Sequence, residues 1–189
     1  KYLPMSEEEE GKVFPLSRCF IYFSGANDSF FCGYELEEFG NGCVSAEELC
    51  RMNFENVQLL VLSACFSGFG EVSYTQGLLG IRTALLSHKI PFIVLSLWEV
   101  DDFASAVFME YFYNKIIYEK LPVPKALNDA KRYLRTVTLG KLKKMGWFKL
   151  NRIKRLGLVA DTMLELSLCS DEIKLFEKPK YWAGFILLK

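Results

Sequence analysis

The stretch Q-L-L-V-L-S-A-C-F-S-G-F-G-E, residues 58–71, decides the fold because an apolar run leads into a lone cysteine and a glycine-rich turn. Residues 59–62 are the apolar residues expected of a strand buried on both faces of a parallel sheet. Cys65 follows at the carboxyl end of that strand, where open α/β sheets bind their ligands. Gly68 and Gly70 permit a tight turn into a helix, whose dipole favours a thiolate. We therefore predict that Cys65 is displayed as a nucleophile.

The composition indicates one folded globular domain of 189 residues, with 51% hydrophobic and 15% aromatic residues to fill a dry core. Lys plus Arg and Asp plus Glu both number 23, so the overall charge favours neither nucleic acid nor an anionic membrane as a partner. No apolar run reaches the roughly 18 residues that a membrane helix requires, and we expect a soluble protein with no membrane partner. The cysteines form no C-x-x-C pair and are typical of reduced thiols in the cytoplasm: Cys19, Cys32, Cys43, Cys50, Cys65 and Cys169.

Short β-like runs alternate with longer helical patterns, which predicts an α/β fold with a mostly parallel sheet. The predicted strands are residues 19–23, 58–64, 91–97 and 181–188, and residues 27–42 form a polar loop after the first strand. A capping box of Ser45 and Glu48 predicts a short helix. Longer helices are predicted over residues 75–87, 101–119 and 124–137, with Ala126, Leu127, Ala130 and Leu134 on one face of the last.

Several motifs together resemble the CHAT domains, a family of caspase-like cysteine peptidases often attached to tetratricopeptide repeats. L-S-A-C at 62–65, with Gly68 and G-E at 70–71, is similar to the family's nucleophile segment, and G-L-L-G at 77–80 resembles its next helix. S-L-W-E-V-D-D at 96–102 resembles its S-L-W-x-V-D-D signature, and residues 126–135 and Y-W-A-G-F at 181–185 resemble its A-L-x-x-A helix and closing strand. The resemblance runs from Cys19 to Leu188. It implies a three-layer αβα sandwich of caspase-like type, a single CHAT domain over residues 1–189, and cleavage of a protein substrate without cofactor or metal.

One position departs from the family's pattern. The family has a histidine at the end of the preceding strand, within F-x-G-H-G, whereas residues 23–27 here are F-S-G-A-N, so Ala26 occupies the histidine position. Alanine can neither activate the cysteine nor protonate the leaving amine. General acid–base help is typically worth about 10² to 10⁴ in rate, so we expect the chain as written to be an inactive peptidase. A natural pseudoenzyme and a peptidase disabled by replacement of the histidine both remain open; the intact Cys65 and signature segment favour replacement.

The rest of the site follows from the resemblance. The backbone N–H groups of Asn27 and Cys65 would form the oxyanion hole, although the family usually has glycine at the first position. Residues 97–102 correspond to the wall of the pocket for the residue before the cleaved bond, with Trp98 as its plausible aromatic wall. Asp101 or Asp102 would select a basic residue there by a charge-assisted contact. Both acids also fit as cap and first-turn residues of the next helix, and capping is favoured about two to one.

Other groups of residues give weaker functional predictions. His88, the single histidine, lies at the amino end of its strand, about 20 Å from Cys65 for a six-residue strand. It is expected to interact with helix carbonyls and to have no catalytic role. The spacing of Cys32, Cys43 and Cys50 does not suit structural zinc. Residues 63–67 resemble the elbow of α/β-hydrolases only faintly.

Two segments of the chain have no counterpart in the family's motifs. Residues 1–15 are expected to be a leader or linker, and the domain's earlier strands to precede Lys1. Residues 138–172 are an expected insertion, with a basic run interleaved with apolar residues between Lys141 and Arg155. A solvated helix face is the commoner meaning of this pattern. Docking to a partner protein, or to an RNA-containing assembly with Trp147 stacking among the cations, is the sharper alternative.

These observations favour a caspase-like cysteine endopeptidase domain that is inactive as written. A non-catalytic interaction or regulatory module on the same fold is the main rival, and a flavodoxin-like ligand binder is a weaker one, since residues 25–27 make a poor phosphate loop. An activating or sensor partner, or a tetratricopeptide-repeat region, is the further partner that the family resemblance implies.

Overall fold

The computed structural model describes residue 16 and residues 19–23, 42–63, 74–149, 166 and 168–189. The elements in chain order are β1 (Phe20–Tyr22), β2 (Cys43–Ser45), α1 (Ala46–Arg51), β3 (Leu59–Leu62), α2 (Tyr74–Leu86), β4 (Phe92–Ser96), α3 (Asp102–Ile117), α4 (Val123–Thr136), α5 (Leu139–Lys144), a 3₁₀ turn (Pro179–Tyr181) and β5 (Phe185–Leu188). Helices and strands alternate through most of this order, so the α/β class is confirmed.

The strands form two sheets. β1 and β2 pair antiparallel, with Ile21 opposite Val44. β3, β4 and β5 form a three-stranded sheet with β4 in the middle. The side chains of Ile93, Val94 and Leu95 are buried, as expected of a central strand whose two faces are both covered. β1 and β2 thus form a separate antiparallel sheet, and the predicted three-layer, mostly parallel arrangement stays a proposal.

The sequence did not predict β2, because three residues are too few to show a periodic pattern. The strand is defined by its pairing with β1, and the Phe23 amide extends that pairing by donating to the Gly42 carbonyl at 2.8 Å. Gly42 has a φ of 68°, a conformation that glycine adopts without steric cost. Residues 27–41 of the predicted loop lie outside the described residues.

The chain divides into two compact units, and residues 1–61, 66–93 and 188–189 form the first. Its helix α1 begins at the predicted capping box: the Ser45 hydroxyl accepts from the Glu48 amide at 3.1 Å, and the Glu48 carboxylate accepts from the Ser45 amide at 2.7 Å. The core contains side chains from α1, α2 and the segment leading into β4: Ala46, Leu49, Ile81, Ala84, Leu85 and Ile90.

The second unit comprises residues 62–65 and 94–187 and has an aromatic core. Phe108 of α3 stacks on Phe185 of β5 with ring centroids 4.1 Å apart. Tyr111 of α3 stacks on Tyr133 of α4 at 4.0 Å. Phe103 makes an edge contact with each of three aromatic rings, those of Trp147, Phe148 and Phe176. These contacts hold α3 and α4 in place beside the last strand.

The long helices confirm the sequence prediction within about two residues. Helix α4 begins with proline in its first turn, where the missing N–H costs nothing. The predicted apolar face of α4 is buried: Ala126, Leu127, Ala130 and Leu134. Within the part of the chain that the structure describes, no helix is both long and apolar enough to cross a bilayer.

Two expectations near the carboxyl end need correction. The predicted last strand, residues 181–188, begins only at Phe185, because Pro179–Tyr181 forms a 3₁₀ turn. Trp147 does not supply an exposed stacking ring, since only 5% of its surface is accessible and its indole contacts Phe103.

Part of the expected insertion is folded. Residues 139–144 form α5, whose Leu139 and Leu142 are buried.

The capping box yields a prediction about acid stability. Hydrogen bonds from the Ser45 amide and then from the Ser45 hydroxyl hold the pKa of Glu48 below its ordinary value. A carboxylate whose pKa is depressed by folding stabilises the fold above its unfolded pKa, and this contribution is lost as pH falls through the folded pKa. Glu48→Gln retains a capping residue but cannot titrate. Its free energy of unfolding should therefore fall less than that of the parent between about pH 5 and pH 3.

The measurement is urea unfolding at several pH values, with Glu55→Gln as a control outside the capping box. Equal pH dependence in the parent and in Glu48→Gln would contradict the assignment.

In the same assay Ser45→Ala should lower the free energy of unfolding by about 0.5–2 kcal/mol at neutral pH, because the first turn of α1 loses its side-chain acceptor.

Candidate active site

The predicted site residues divide into two groups. Cys65, Ala26 and Asn27 lie outside the described residues, and the roles predicted for them remain predictions. Trp98 and Asp101 are described, in the segment that joins β4 to α3, and so is Asp102, the first residue of α3. Their surroundings define the candidate pocket wall.

Trp98 lies two residues after β4 and is held by the segment before β5. Its indole N–H donates to the Lys180 carbonyl at 2.9 Å. The preceding amide, that of Leu97, donates to the Gly184 carbonyl at 2.9 Å. With 39% of its surface exposed, Trp98 has a fixed orientation and an accessible part. These are the properties needed for the wall of a ligand pocket.

Gly184 is the residue that permits this arrangement, and sequence reasoning had assigned it no role. A Cβ at position 184 would lie 2.9 Å from Cε2 of Trp98 and 3.1 Å from its Nε1. The indole therefore occupies the space that any side chain would need. Trp98 and Gly184 both lie in motifs of the family, at 96–102 and 181–185, and that was the available signal. Nothing in the sequence indicates that the two residues are in contact.

Asp101 is the N-cap of α3, and its Oδ1 accepts from the Ala104 amide at 2.8 Å. The capping interpretation of Asp101 is confirmed. Asp102 follows in the first turn, where a negative charge is favoured by the helix dipole. Both residues are exposed.

His88 lies two residues beyond the end of α2, in the first unit. Its Nε2 is 2.7 Å from the Leu49 carbonyl oxygen, and its ring packs against Phe54 with centroids 4.6 Å apart. The contact with a carbonyl in the last turns of a helix is the kind expected from the sequence, although the helix is α1 and not α2. An open cavity of about 610 Å³ lies beside this histidine, lined by residues 51–55 and 87–89. The described site residues, Trp98, Asp101 and Asp102, do not line that cavity.

The described residues offer no group of three or more His, Cys, Asp or Glu side chains arranged to hold a metal ion. The four described cysteines, Cys19, Cys43, Cys50 and Cys169, form no disulfide with one another. Burial raises the pKa of the Cys19 thiol, which makes it a poor nucleophile at neutral pH. Cys32, the third member of the cysteine group considered for zinc, lies outside the described part of the chain.

The contact between Trp98 and Gly184 yields a double-mutant prediction. Gly184→Ala should destabilise the protein by about 1–3 kcal/mol, because the added methyl overlaps the indole. The same change should cost less in a Trp98→Leu background, where the smaller side chain leaves room. Urea unfolding of the parent, the two single variants and the double variant measures the coupling, expected at about 0.5–3 kcal/mol for residues in contact. Effects that add to within about 0.5 kcal/mol would show that the two residues do not share this space.

Comparison with known proteins gives one family. The model of the CHAT domain matches residues 12–189. Neither the curated proteins nor the solved structures contain a significant match. The family match covers the described strands, the segment that holds Trp98 and the positions of Ala26 and Cys65. The chain therefore belongs to the CHAT domain family.

Proposed function

We propose that this chain is a caspase-like cysteine endopeptidase domain in which the nucleophile, Cys65, is retained and the general base is missing at Ala26. The observation that carries the proposal is the fixed position of Trp98, directly after β4. β4 is the neighbour of β3 in the sheet, and β3 is the strand that leads to Cys65. β3 ends at Leu62, three residues before that cysteine. In the proposed three-layer fold β3 and β4 run parallel, so their carboxyl ends share one edge.

The chemistry assigned to this edge is nucleophilic acyl transfer. The Cys65 thiolate would attack the carbonyl carbon of a peptide bond, and the backbone N–H groups of Asn27 and Cys65 would stabilise the resulting oxyanion. Breakdown of the intermediate needs a proton for the leaving amine, which a histidine at position 26 would supply and Ala26 does not. The chain as written is therefore proposed to be inactive in amide hydrolysis while keeping the geometry for binding.

The proposed pocket wall consists of Trp98 with Asp102. The carboxylate of Asp101 already accepts the Ala104 amide, so Asp102 is the better candidate to select a substrate with a basic residue before the cleaved bond. Such a contact would be charge-assisted and would favour lysine or arginine over neutral residues.

The second candidate function is a non-catalytic interaction module, and Ala26 is the observation that favours it. A domain that no longer acts as a peptidase can lose the histidine that serves as general base and still keep its fold. In either case the proposed partners are a protein substrate or ligand and an activating region such as tetratricopeptide repeats, in the cytoplasm.

Restoring the histidine separates the two functions. Ala26→His should lower the pKa of Cys65 from its ordinary value of about 8.5, because an imidazolium stabilises the thiolate. The rate of Cys65 alkylation by iodoacetamide at about pH 6.5 should rise at least about tenfold, since the thiolate is the reacting form. Peptide mass spectrometry assigns the alkylated residue. Asn27→His, which puts the same side chain one position along, is the matched control and should not accelerate the reaction.

The same variants are then tested for cleavage of a panel of proteins, in the full-length chain with candidate activators. Cleavage by Ala26→His that disappears in Ala26→His/Cys65→Ala would support the peptidase. A folded Ala26→His variant whose alkylation and cleavage match those of Asn27→His would refute it and favour the interaction module.

If Ala26→His is active, Asp102→Asn should reduce its preference for lysine or arginine before the cleaved bond. Loss of one charge-assisted contact corresponds to about 1.5–3 kcal/mol, or roughly ten- to hundredfold in kcat/KM for basic substrates. Asp101→Asn is the matched control, because asparagine caps helices as well as aspartate does. Equal losses in both variants would mean that Asp102 does not contact the substrate.

A further inference from the structure

Positive charge is concentrated in one segment of an otherwise neutral chain. Residues 120–149 contain nine Lys or Arg and a single acidic residue, Asp129, whereas the rest of the chain has 14 basic and 22 acidic residues. This asymmetry is large enough to create a local positive potential even though the net charge is zero. The segment belongs to the second unit and includes α4 and α5.

The side of α4 opposite its buried apolar face carries this charge. Lys125, Arg132 and Arg135 are exposed there, at helical spacings that put them on one side. At one margin the Arg135 guanidinium lies over the Trp182 ring at 5.8 Å from its centroid. At the other margin the ammonium of Lys141 lies over the Tyr133 ring at 5.0 Å. We call Lys125, Arg132, Arg135 and Lys141 the α4 basic face.

Within the described residues, most of this charge has no carboxylate partner. Lys143 of α5 pairs with Asp171 at 2.8 Å. Lys125, Arg132 and Arg135 form no salt bridge with any residue in the described parts of the chain. The α4 basic face can therefore offer charge-assisted hydrogen bonds to an external anion.

The surroundings of the α4 basic face favour protein carboxylates over nucleic acid. Proteins that bind single-stranded nucleic acid combine cations with exposed aromatic rings on which bases stack. None of the described rings on or near this face is fully exposed: Tyr133 and Trp147 are buried, and Phe148 and Trp182 are half-buried. Met145, by contrast, is 45% exposed, and its sulfur lies 3.1 Å from the Tyr133 hydroxyl. An exposed methionine adapts to the apolar side chains of a protein partner.

We propose that the α4 basic face is a docking surface for an acidic, Glu- or Asp-rich segment of a partner protein. The proposal does not rest on the peptidase function, since none of the residues of this face belongs to the candidate active site.

The test uses the full chain and a fluorescein-labelled peptide of ten glutamates with one central leucine, followed by fluorescence anisotropy. The Lys125→Glu/Arg132→Glu variant should bind about tenfold more weakly or worse, because two attractive contacts become repulsive. Arg82→Glu/Lys89→Glu, in the first unit, makes the same change in net charge at exposed positions and should bind like the parent. Binding should weaken as the ionic strength rises from about 0.05 to about 0.5 M. Circular dichroism establishes that both variants are folded.

Three results would overturn the proposal. Equal losses in the two double variants would show a general charge effect without a dedicated surface. Unchanged binding by Lys125→Glu/Arg132→Glu would place the peptide elsewhere. Tighter binding of a labelled 20-nucleotide oligouridylate than of the acidic peptide, lost in the α4 variant, would make this face a nucleic-acid site.

Discussion

The packing of Trp98 against Gly184 is the constraint on which the second unit depends. The chain leaves β4 at Ser96, and within two residues the indole must lie against the segment that enters β5. The hydrogen bonds from the Trp98 indole to Lys180 and from the Leu97 amide to Gly184 fix that approach at 2.9 Å each. Because a side chain at position 184 would overlap the indole, glycine at this position lets the two segments approach this closely without displacing Trp98. The turn from β4 to the Asp101 cap of α3 is thereby held in one conformation.

This constraint connects the fold to the proposed chemistry. A substrate pocket needs a wall that keeps its shape, and an exposed tryptophan held by a hydrogen bond and by close backbone contact supplies one. The cap on Asp101 fixes the start of α3 and leaves the neighbouring carboxylate of Asp102 exposed. Phe108 of α3 and Phe185 of β5 are buried, and their packing anchors the helix and the strand next to this wall.

The sequence predicted those parts of the fold whose cause is local. The capping box at Ser45, the cap at Asp101 and the apolar face of α4 each depend on residues within a few positions of one another. β2 and the shortened last strand were missed because they depend on distant partners: β2 exists through its pairing with β1, and the 3₁₀ turn before Phe185 lies where the chain meets Trp98. The burial of Trp147 was missed for the same reason, since its basic neighbours suggested exposure while Phe103 lies far away in sequence. Of the candidate site, the sequence predicted the position of Trp98 and the cap, but not the role of Gly184.

The central claim is that the chain keeps the scaffold of a cysteine peptidase and lacks only its base. A crystal structure of the Ala26→His variant tests this most directly, through the distance between the imidazole nitrogens of residue 26 and the sulfur of Cys65. We predict that one nitrogen lies within hydrogen-bonding reach of the sulfur, at about 3–3.5 Å, with Trp98 lining the same cleft. A histidine that points away from a buried Cys65, with no cleft between them, would contradict the claim.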